Sequence, residues 1–440
     1  MSFIQYSSLF LILPLLYEIR KVYRKMELNM FDFLLMFNCL HFGIIPFLNA
    51  GNSHYSELIS LKVFLILFIY ELAIFTLSFC WNKYNTNKDC IINTTRFIRK
   101  TKDIYISRTG YIVLLLILSL ILVVYMPYAT IVTRMDSAGE AINDSYALKT
   151  TLSILSSALS VVFIIISLRI VLQARNRKYK KIDIIMIAVT IIICAFFPRR
   201  YLLGNLIFFA IIYYSICRDK LNLRFIIILS LIAIFIFQIY FPFYNIVRNN
   251  PIRFNQSAPI QSLCEIIQYG IEHQSDYEKQ MESTKERTLN LYDAIYNLQK
   301  SERSVQDNKL IISEIDVAIP SILNPNKGLG SEGKLEEITG QYHDIADSLL
   351  LEACGDFDIG GAIIAPLLFY LIFIIYNLYY KILNNITKQK IISFFILFGL
   401  YSVCWNVEGK FGSSLSWFFS SFAWIVVLLI SSHYRIILIK

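Results

Sequence analysis

Two arginines stand side by side in FPRRYLLGN, residues 197–205, and two more follow in VRNNPIRF, residues 247–254. A guanidinium group is a flat fork that grips phosphate oxygens two at a time. Arg199, Arg200, Arg248 and Arg253 therefore suit a diphosphate. The stretch IPSILNPNKGLG, residues 319–330, has the Pro, Gly and Asn chemistry of a loop. It carries Lys327, a fifth cation, which we group with the sugar-binding side chains.

A second constellation is QYHDIADSLLLEACGDFDIGG, residues 341–361. His343 titrates near neutrality and is a candidate general base for deprotonating a hydroxyl. Glu352 and Asp356 are alternative bases or acceptor-sugar ligands. If the segment is helical, Asp344, Asp347 and Ser348 share a face, with Glu352 one turn beyond Ser348. Asp344, Asp347 and Asp356 are then candidate sugar ligands. These carboxylates form no compact DxD pair, and phosphate-loop, GxSxG and HExxH patterns are absent. No cysteine falls in a CxxC or Cys/His metal spacing. We expect neither a metal nor another cofactor. Cys264 and Cys354 share one polar segment, where an oxidising compartment would let them pair.

These groups need something to hold them. The chain has 440 residues, of which 56% are hydrophobic and only 17% charged. Soluble proteins run at about 45–50% and about 25%, so this is the composition of a membrane protein. Apolar runs cover approximately 3–19, 30–50, 57–81, 110–130, 150–172, 182–197, 201–216, 223–243, 359–380, 389–407 and 414–434. Each is expected to be a helix, because a backbone in lipid must satisfy its own hydrogen bonds. The fold class is thus all-α and polytopic, with about 11 transmembrane helices. The first run lacks a small-residue cleavage site and reads as a retained span.

Lys and Arg crowd into segments 20–29, 82–109, 173–183, 217–224, 381–390 and the C-terminus. The other short connections hold only Arg134, Lys149, Arg199, Arg200 and Lys410. By the positive-inside rule the first set is cytoplasmic, giving an N-out/C-in topology. The net charge of +9 therefore encodes orientation, and nucleic-acid binding is set aside. Arg199 and Arg200 break the charge rule. The run before them, 182–197, rises only about 24 Å against a hydrocarbon core about 30 Å thick, so the pair should be recessed at the outer face.

The segment 244–355 is the one long connection, on the outer side and net negative. Apolar residues at helical spacing (Ile260, Leu263, Ile267, Ile271, then Leu291, Ile295, Leu298) suggest amphipathic helices within it. The domain reading is therefore 1–243, helices 1–8; 244–355, an extracytoplasmic lobe; and 356–440, helices 9–11. Glu71, in mid-span, is expected to make an interhelical polar contact.

With these residues in hand, the chain resembles the bacterial oligosaccharide repeat-unit polymerases of O-antigen and capsule assembly, the Wzy type. The likeness lies in many spans, a large outer loop late in the chain and an arginine pair opening a short span. Locally it lies in IPSILNPNKG followed by HDIADSLLLEACGDFDIGG. The departures are Asp358, where a glycine is common, and a long spacing from His343 to Gly361. The resemblance implies a ligase/polymerase-type membrane glycosyltransferase, GT-C-like in fold, in the bacterial cytoplasmic (inner) membrane with its site on the periplasmic side. It implies undecaprenyl-diphosphate-linked oligosaccharides as substrates, with membrane lipids, a repeat-unit flippase and a chain-length regulator as partners. An O-antigen ligase would share the same arginine and histidine logic. A lipid-linked oligosaccharide flippase or other transporter is a different class, disfavoured because ionisable residues cluster at one face instead of lining mid-membrane positions and because a flippase needs no lobe of this length. A membrane acyltransferase is a weaker option.

Overall fold

A computed structural model describes residues 3–49, 57–84, 89–125, 146–176, 180–196, 199–217, 231, 235, 239–248, 259–273, 309–319, 324, 328, 330–331, 333–335, 348–387, 391–405, 407 and 409–439. These residues are mostly helical. The helices are α1 (Phe3–Tyr23), α2 (Met30–Asn38), α3 (Ile45–Asn49), α4 (Glu57–Tyr84), α5 (Cys90–Lys100), α6 (Arg108–Tyr125), α7 (Tyr146–Asn176), α8 (Lys181–Phe196), α9 (Arg199–Cys217), α10 (Phe241–Arg248), α11 (Pro259–Glu272), α12 (Leu310–Ala318), α13 (Leu349–Phe357), α14 (Gly361–Thr387), α15 (Ile391–Trp405) and α16 (Phe411–His433). A π-helical turn, Cys39–Ile44, joins α2 to α3. Two short strands, β1 (Ile104–Ile106) and β2 (Ile437–Ile439), pair antiparallel with Tyr105 opposite Leu438.

Among the described residues four helical stretches are long and apolar enough to cross a membrane: Met30–Phe47, Glu57–Trp81, Ala158–Asn176 and Leu349–Asn384. Arg108–Val123 and Leu202–Cys217 are shorter apolar helices. The chain is thus an all-helical membrane protein in outline. It divides into two compact units, one of residues 1–96 and 284–423, the other of residues 97–283 and 424–440. These units cut across the three sequence segments expected above.

In the first unit α1, α2 and α4 pack together, α4 packs on α14, and α15 packs on both α2 and α14. Phe31, Trp81, Tyr370 and Phe373 interlock in edge, tilted and stacked pairs between α2, α4 and α14. Such aromatic pairs add about 0.5–1.5 kcal/mol each beyond their burial. Asn29 caps α2 by accepting from Asp32 N, and Asn29 N donates to Asp32 Oδ2, a reciprocal capping box.

Asp32 also anchors a buried charge cluster. Lys21 Nζ lies 2.7 Å from Asp32 Oδ1 and 3.1 Å from Glu18 Oε1, and the Ser78 hydroxyl donates to Asp32. The sequence marks Lys21 as a connection charge; the structure puts it inside α1, with its side chain only 3% exposed. Glu71 is buried, and its Oε1 has no hydrogen-bond partner among the described residues.

In the second unit α7 packs on α6, α8 and α9. Arg169 of α7 pairs with Asp183 of α8 at 2.7 Å and donates to Ile104 O of β1. Tyr111 of α6 and Gln173 of α7 donate to the same carboxylate at 2.5 Å. One aspartate thus staples α6, α7 and α8, its charge matched by a guanidinium that also holds the strand.

The basic connections touch one another within each unit. Arg96 pairs with Glu27 at 2.8 Å in the first. In the second, Arg175 donates to Arg99 O, Asn176 to Lys102 O, Arg99 to Ser215 O, and β1 pairs with the C-terminal β2. Chain on opposite faces of a bilayer cannot make such bonds, so within each unit these segments share one side.

In the 244–355 segment α11 covers the expected Ile260–Ile271 helix. Ser262, Ile266 and Gly270 face the protein, while Ile267 and Ile271 of the expected apolar stripe are exposed, as in a helix lying on a membrane surface. Gly270 admits Phe243 and Val247 of α10, which would collide with any Cβ there. Close approach of α10 therefore selects the face, and hydrophobicity alone could not. The second expected helix, around Leu291–Leu298, lies outside the described residues.

Candidate functional site

The two motifs that carry the resemblance meet in the first unit, around α12 and α13. The helix α12, LIISEIDVA, begins after Lys309, whose φ is 49°. Its first free amides need acceptors, and Asp356 at the end of α13 supplies both oxygens: Leu310 N donates to Oδ1 at 2.8 Å and Ile311 N to Oδ2 at 3.0 Å. Gly355 makes the approach possible, because a Cβ there would overlap Leu310 Cδ1.

Two carboxylates of α12 then draw in the loop that follows. Asp316 accepts from Asn324 Nδ2 at 2.5 Å and from Gly328 N at 3.2 Å. Glu314 accepts from Ser331 N at 2.8 Å and Ser331 Oγ at 2.6 Å. The chain on both sides of Lys327 is thereby tied to α12, through Asn324 and Gly328 to Asp316 and through Ser331 to Glu314.

Ser331 also reaches α13. Its hydroxyl lies 3.3 Å from Glu352 Oε1, and Glu352 Oε2 accepts from Phe411 N at the start of α16, again at 3.3 Å. Leu349 N donates to Gly409 O at 3.1 Å. Gly412 lets α16 close on α12, since a Cβ there would overlap Glu314 Oε2 and O. Glu314 and Glu352 are both buried, at 3% and 0% exposure.

The α13 helix starts later than the shared-face argument required. Ser348 is extended, φ −145°, and caps the helix by accepting from Leu351 N at 3.1 Å. It is the N-cap, so it does not sit on a helical face with Glu352. At the far end Gly361 turns the chain into α14, its missing side chain allowing contact with the backbone of Ala353 and Cys354.

The expected site residues fall as follows. Arg199 and Arg200 are the first two residues of α9 and Arg248 is the last of α10; their side chains lie outside the described parts. The Tyr240 hydroxyl donates to Ala195 O at 2.6 Å, which brings the start of α10 to the end of α8, with Ala195 four residues before Arg199 in the chain. Arg253, Lys327, His343, Asp344 and Asp347 lie outside the described residues. Glu352, expected as an alternative base, is closed off from solvent and ties α13 to α16 and to Ser331. Asp356, expected as a sugar ligand, has both oxygens on the amides of α12. Both carboxylates hold the site together from within. Cys264 and Cys354 are free thiols, as are the other cysteines.

Sequence reasoning passed over Glu314, Asp316 and Ser331. The available signal was two carboxylates inside an otherwise apolar nine-residue helix, where burial must come with partners. Comparison of the chain with protein-family models, with curated proteins and with solved structures finds no match in any of the three.

Proposed function

We propose that this chain is a membrane glycosyltransferase that polymerises undecaprenyl-diphosphate-linked oligosaccharide repeat units on the outer face of the bacterial cytoplasmic membrane. It would have about 11 spans, an N-out/C-in topology and a GT-C-like architecture. The growing glycan on its lipid diphosphate is the donor, and a newly delivered lipid-linked unit is the acceptor. The observation that carries this reading is the Glu314–Ser331–Glu352 junction. It joins the Lys327-bearing loop to the helix that follows the His343 segment, the two motifs on which the resemblance rests.

In this reading the acceptor hydroxyl attacks the anomeric carbon, and the bond to the diphosphate oxygen breaks. His343 takes the hydroxyl proton. Arg199, Arg200, Arg248 and Arg253 receive the negative charge that grows on the leaving diphosphate, a contact stronger in the transition state than before it. Lys327, Asp344 and Asp347 offer polar contacts to sugar hydroxyls. Glu352 and Asp356 act as positioning residues, through Ser331 and α12 respectively.

The test uses purified full-length protein with lipid-linked repeat units, read as a ladder of glycan lengths. Elongation by wild type and its loss in His343→Ala support the proposal. Attachment of finished chains to a lipid A core, without elongation, would make the chain an O-antigen ligase. Transport of lipid-linked oligosaccharide is the second reading, and Glu71 favours it: a mid-span carboxyl lacking a partner at Oε1 is a feature transporters use. Movement of labelled lipid-linked units across a vesicle bilayer, with no elongation, would select that reading.

A further inference from the structure

At the turn between α13 and α14 one residue is held in a conformation that suits glycine. Asp358 has φ 50° and ψ −130°. A side chain makes that region costly, and such strain persists only where surrounding packing imposes it. Here the imposing contact is Gly361 against Ala353 and Cys354, which fixes the corner whichever residue stands at 358. A glycine would fill this position without cost, yet the sequence has a carboxylate.

That carboxylate has one partner among the described residues. Lys62 Nζ lies 2.7 Å from Asp358 Oδ1, with the lysine side chain 25% exposed and the aspartate 53%. Lys62 is in the second turn of α4, inside a span long enough to cross a membrane. The helices α4 and α14 pack together, so the pair sits at the end where both begin. Leu58, Leu61, Leu65, Ile359 and Ile363 around it are exposed, the setting of an apolar lipid-facing surface. An ammonium near the end of an apolar span can reach phosphate-bearing headgroups as well as its carboxylate partner.

We propose that Lys62 is a phosphate-binding residue for a polyisoprenyl diphosphate, and that strained Asp358 is its resident counter-ion, displaced when the diphosphate arrives. This site rests on the glycosyl-transfer reading for the identity of its lipid and adds a cation from α4 that the arginine set does not contain. Asp358 keeps the lysine extended and desolvation-ready while the site is empty. A diphosphate offers two or more oxygens where the aspartate offers one close contact, so exchange favours the ligand.

The experiment measures binding of undecaprenyl diphosphate to the full-length protein in nanodiscs, for wild type, Lys62→Gln, Lys62→Arg and Asp358→Gly. Phosphatidylglycerol and inorganic pyrophosphate serve as comparison ligands, and thermal unfolding is followed in parallel. Losing one charge-assisted contact should weaken binding about tenfold or more in Lys62→Gln, with Lys62→Arg retaining most of it. Asp358→Gly removes both competitor and strain, so binding should tighten while the unfolding temperature holds or rises. Equal binding by wild type and Lys62→Gln overturns this site and leaves the glycosyl-transfer reading intact. A fall in both binding and unfolding temperature in Asp358→Gly makes the pair structural and overturns it too. The same dependence on Lys62 for phosphatidylglycerol or for pyrophosphate would assign the site to general anionic lipid or to free anion, against the proposal. No binding of undecaprenyl diphosphate even by wild type overturns the glycosyl-transfer reading together with the site.

Discussion

Glu314 and Glu352 converge on a single hydroxyl, that of Ser331, at 2.6 and 3.3 Å. One hydroxyl proton cannot serve two carboxylates equally, so each also leans on a backbone amide: Ser331 N for Glu314 and Phe411 N for Glu352. The junction therefore couples α12, α13 and the start of α16 through groups that all depend on one small side chain. It is buried, so water cannot replace a lost partner cheaply.

Ser331→Ala tests that coupling. Removing the hydroxyl takes one donor from Glu314 Oε1, which keeps Ser331 N, and one from buried Glu352 Oε1, a loss of about 1–3 kcal/mol. The expected result is a lower unfolding temperature in detergent, with elongation activity reduced through the slackened Lys327 loop. Ser331→Thr, which keeps the hydroxyl, should recover most of both. Unfolding of Ser331→Ala at the wild-type temperature would show that the two carboxylates are held by other means.

A second prediction compares glycines. A Cβ at Gly361 would overlap the backbone of Ala353 and Cys354, whereas one at Gly328 would meet only Asp316 Oδ2 at 3.7 Å. Backbone cannot swing aside as a side-chain tip can, so Gly361→Ala must pry α13 from α14. It should cost about 1–3 kcal/mol or more, and Gly328→Ala less than about 1 kcal/mol. Detergent-solubilised yield and unfolding temperature rank the two, and equal behaviour would contradict the packing described for this corner.

Much of the helical plan is readable from the sequence because an apolar run long enough to matter has no other stable state in lipid. The run 57–81 became Glu57–Tyr84, and 182–197 became Lys181–Phe196. What periodicity cannot supply is the partner of a polar side chain. Lys21 looks like an orientation signal until Asp32 and Glu18 close on it, and no local pattern joins Arg169 to Asp183. The face of α11 that meets protein is a related case: Gly270 admits Phe243, a fact about a neighbouring helix that no local pattern contains. Within the candidate site Glu352 and Asp356 stand out in the sequence, but the backbone amides they hold belong to elements that no local pattern brings near.

Asp89 gives a pH dependence. It lies in the connection after α4, where Trp81 Nε1 donates to Oδ2 at 2.8 Å and Ile91 N and Ile92 N donate to Oδ1 at 2.7 and 3.0 Å. Burial pushes its carboxyl up to about 6, although these donors pull it the other way. The folded state thus holds the proton more tightly than the unfolded chain, whose value is near 3.8. That contribution to stability is fully present below about pH 4 and is lost as the pH rises through about 6. A shift of this size corresponds to about 3 kcal/mol. Asp89→Asn cannot ionise, so the wild-type unfolding temperature should fall relative to the variant between about pH 4 and 7. A constant difference across that range would mean that Asp89 titrates as in water.

The arginine pair supplies the most direct test of the proposed chemistry. Arg199 and Arg200 open α9, where the first amides of a helix already favour an anion. If the anion is a leaving diphosphate, what matters is the planar fork and its paired donors; a point charge at the same place does not replace it. Arg199→Lys and Arg200→Lys should therefore each slow elongation by about 2–4 kcal/mol of transition-state stabilisation, by analogy with other charge-receiving donors. Binding of the lipid-linked acceptor should change little, because the interaction grows with the charge on the departing oxygen. The measurement is the initial elongation rate at saturating and subsaturating lipid-linked unit, with protein amount matched by gel filtration. Wild-type rates in both lysine variants would mean that the diphosphate leaves from somewhere other than the start of α9.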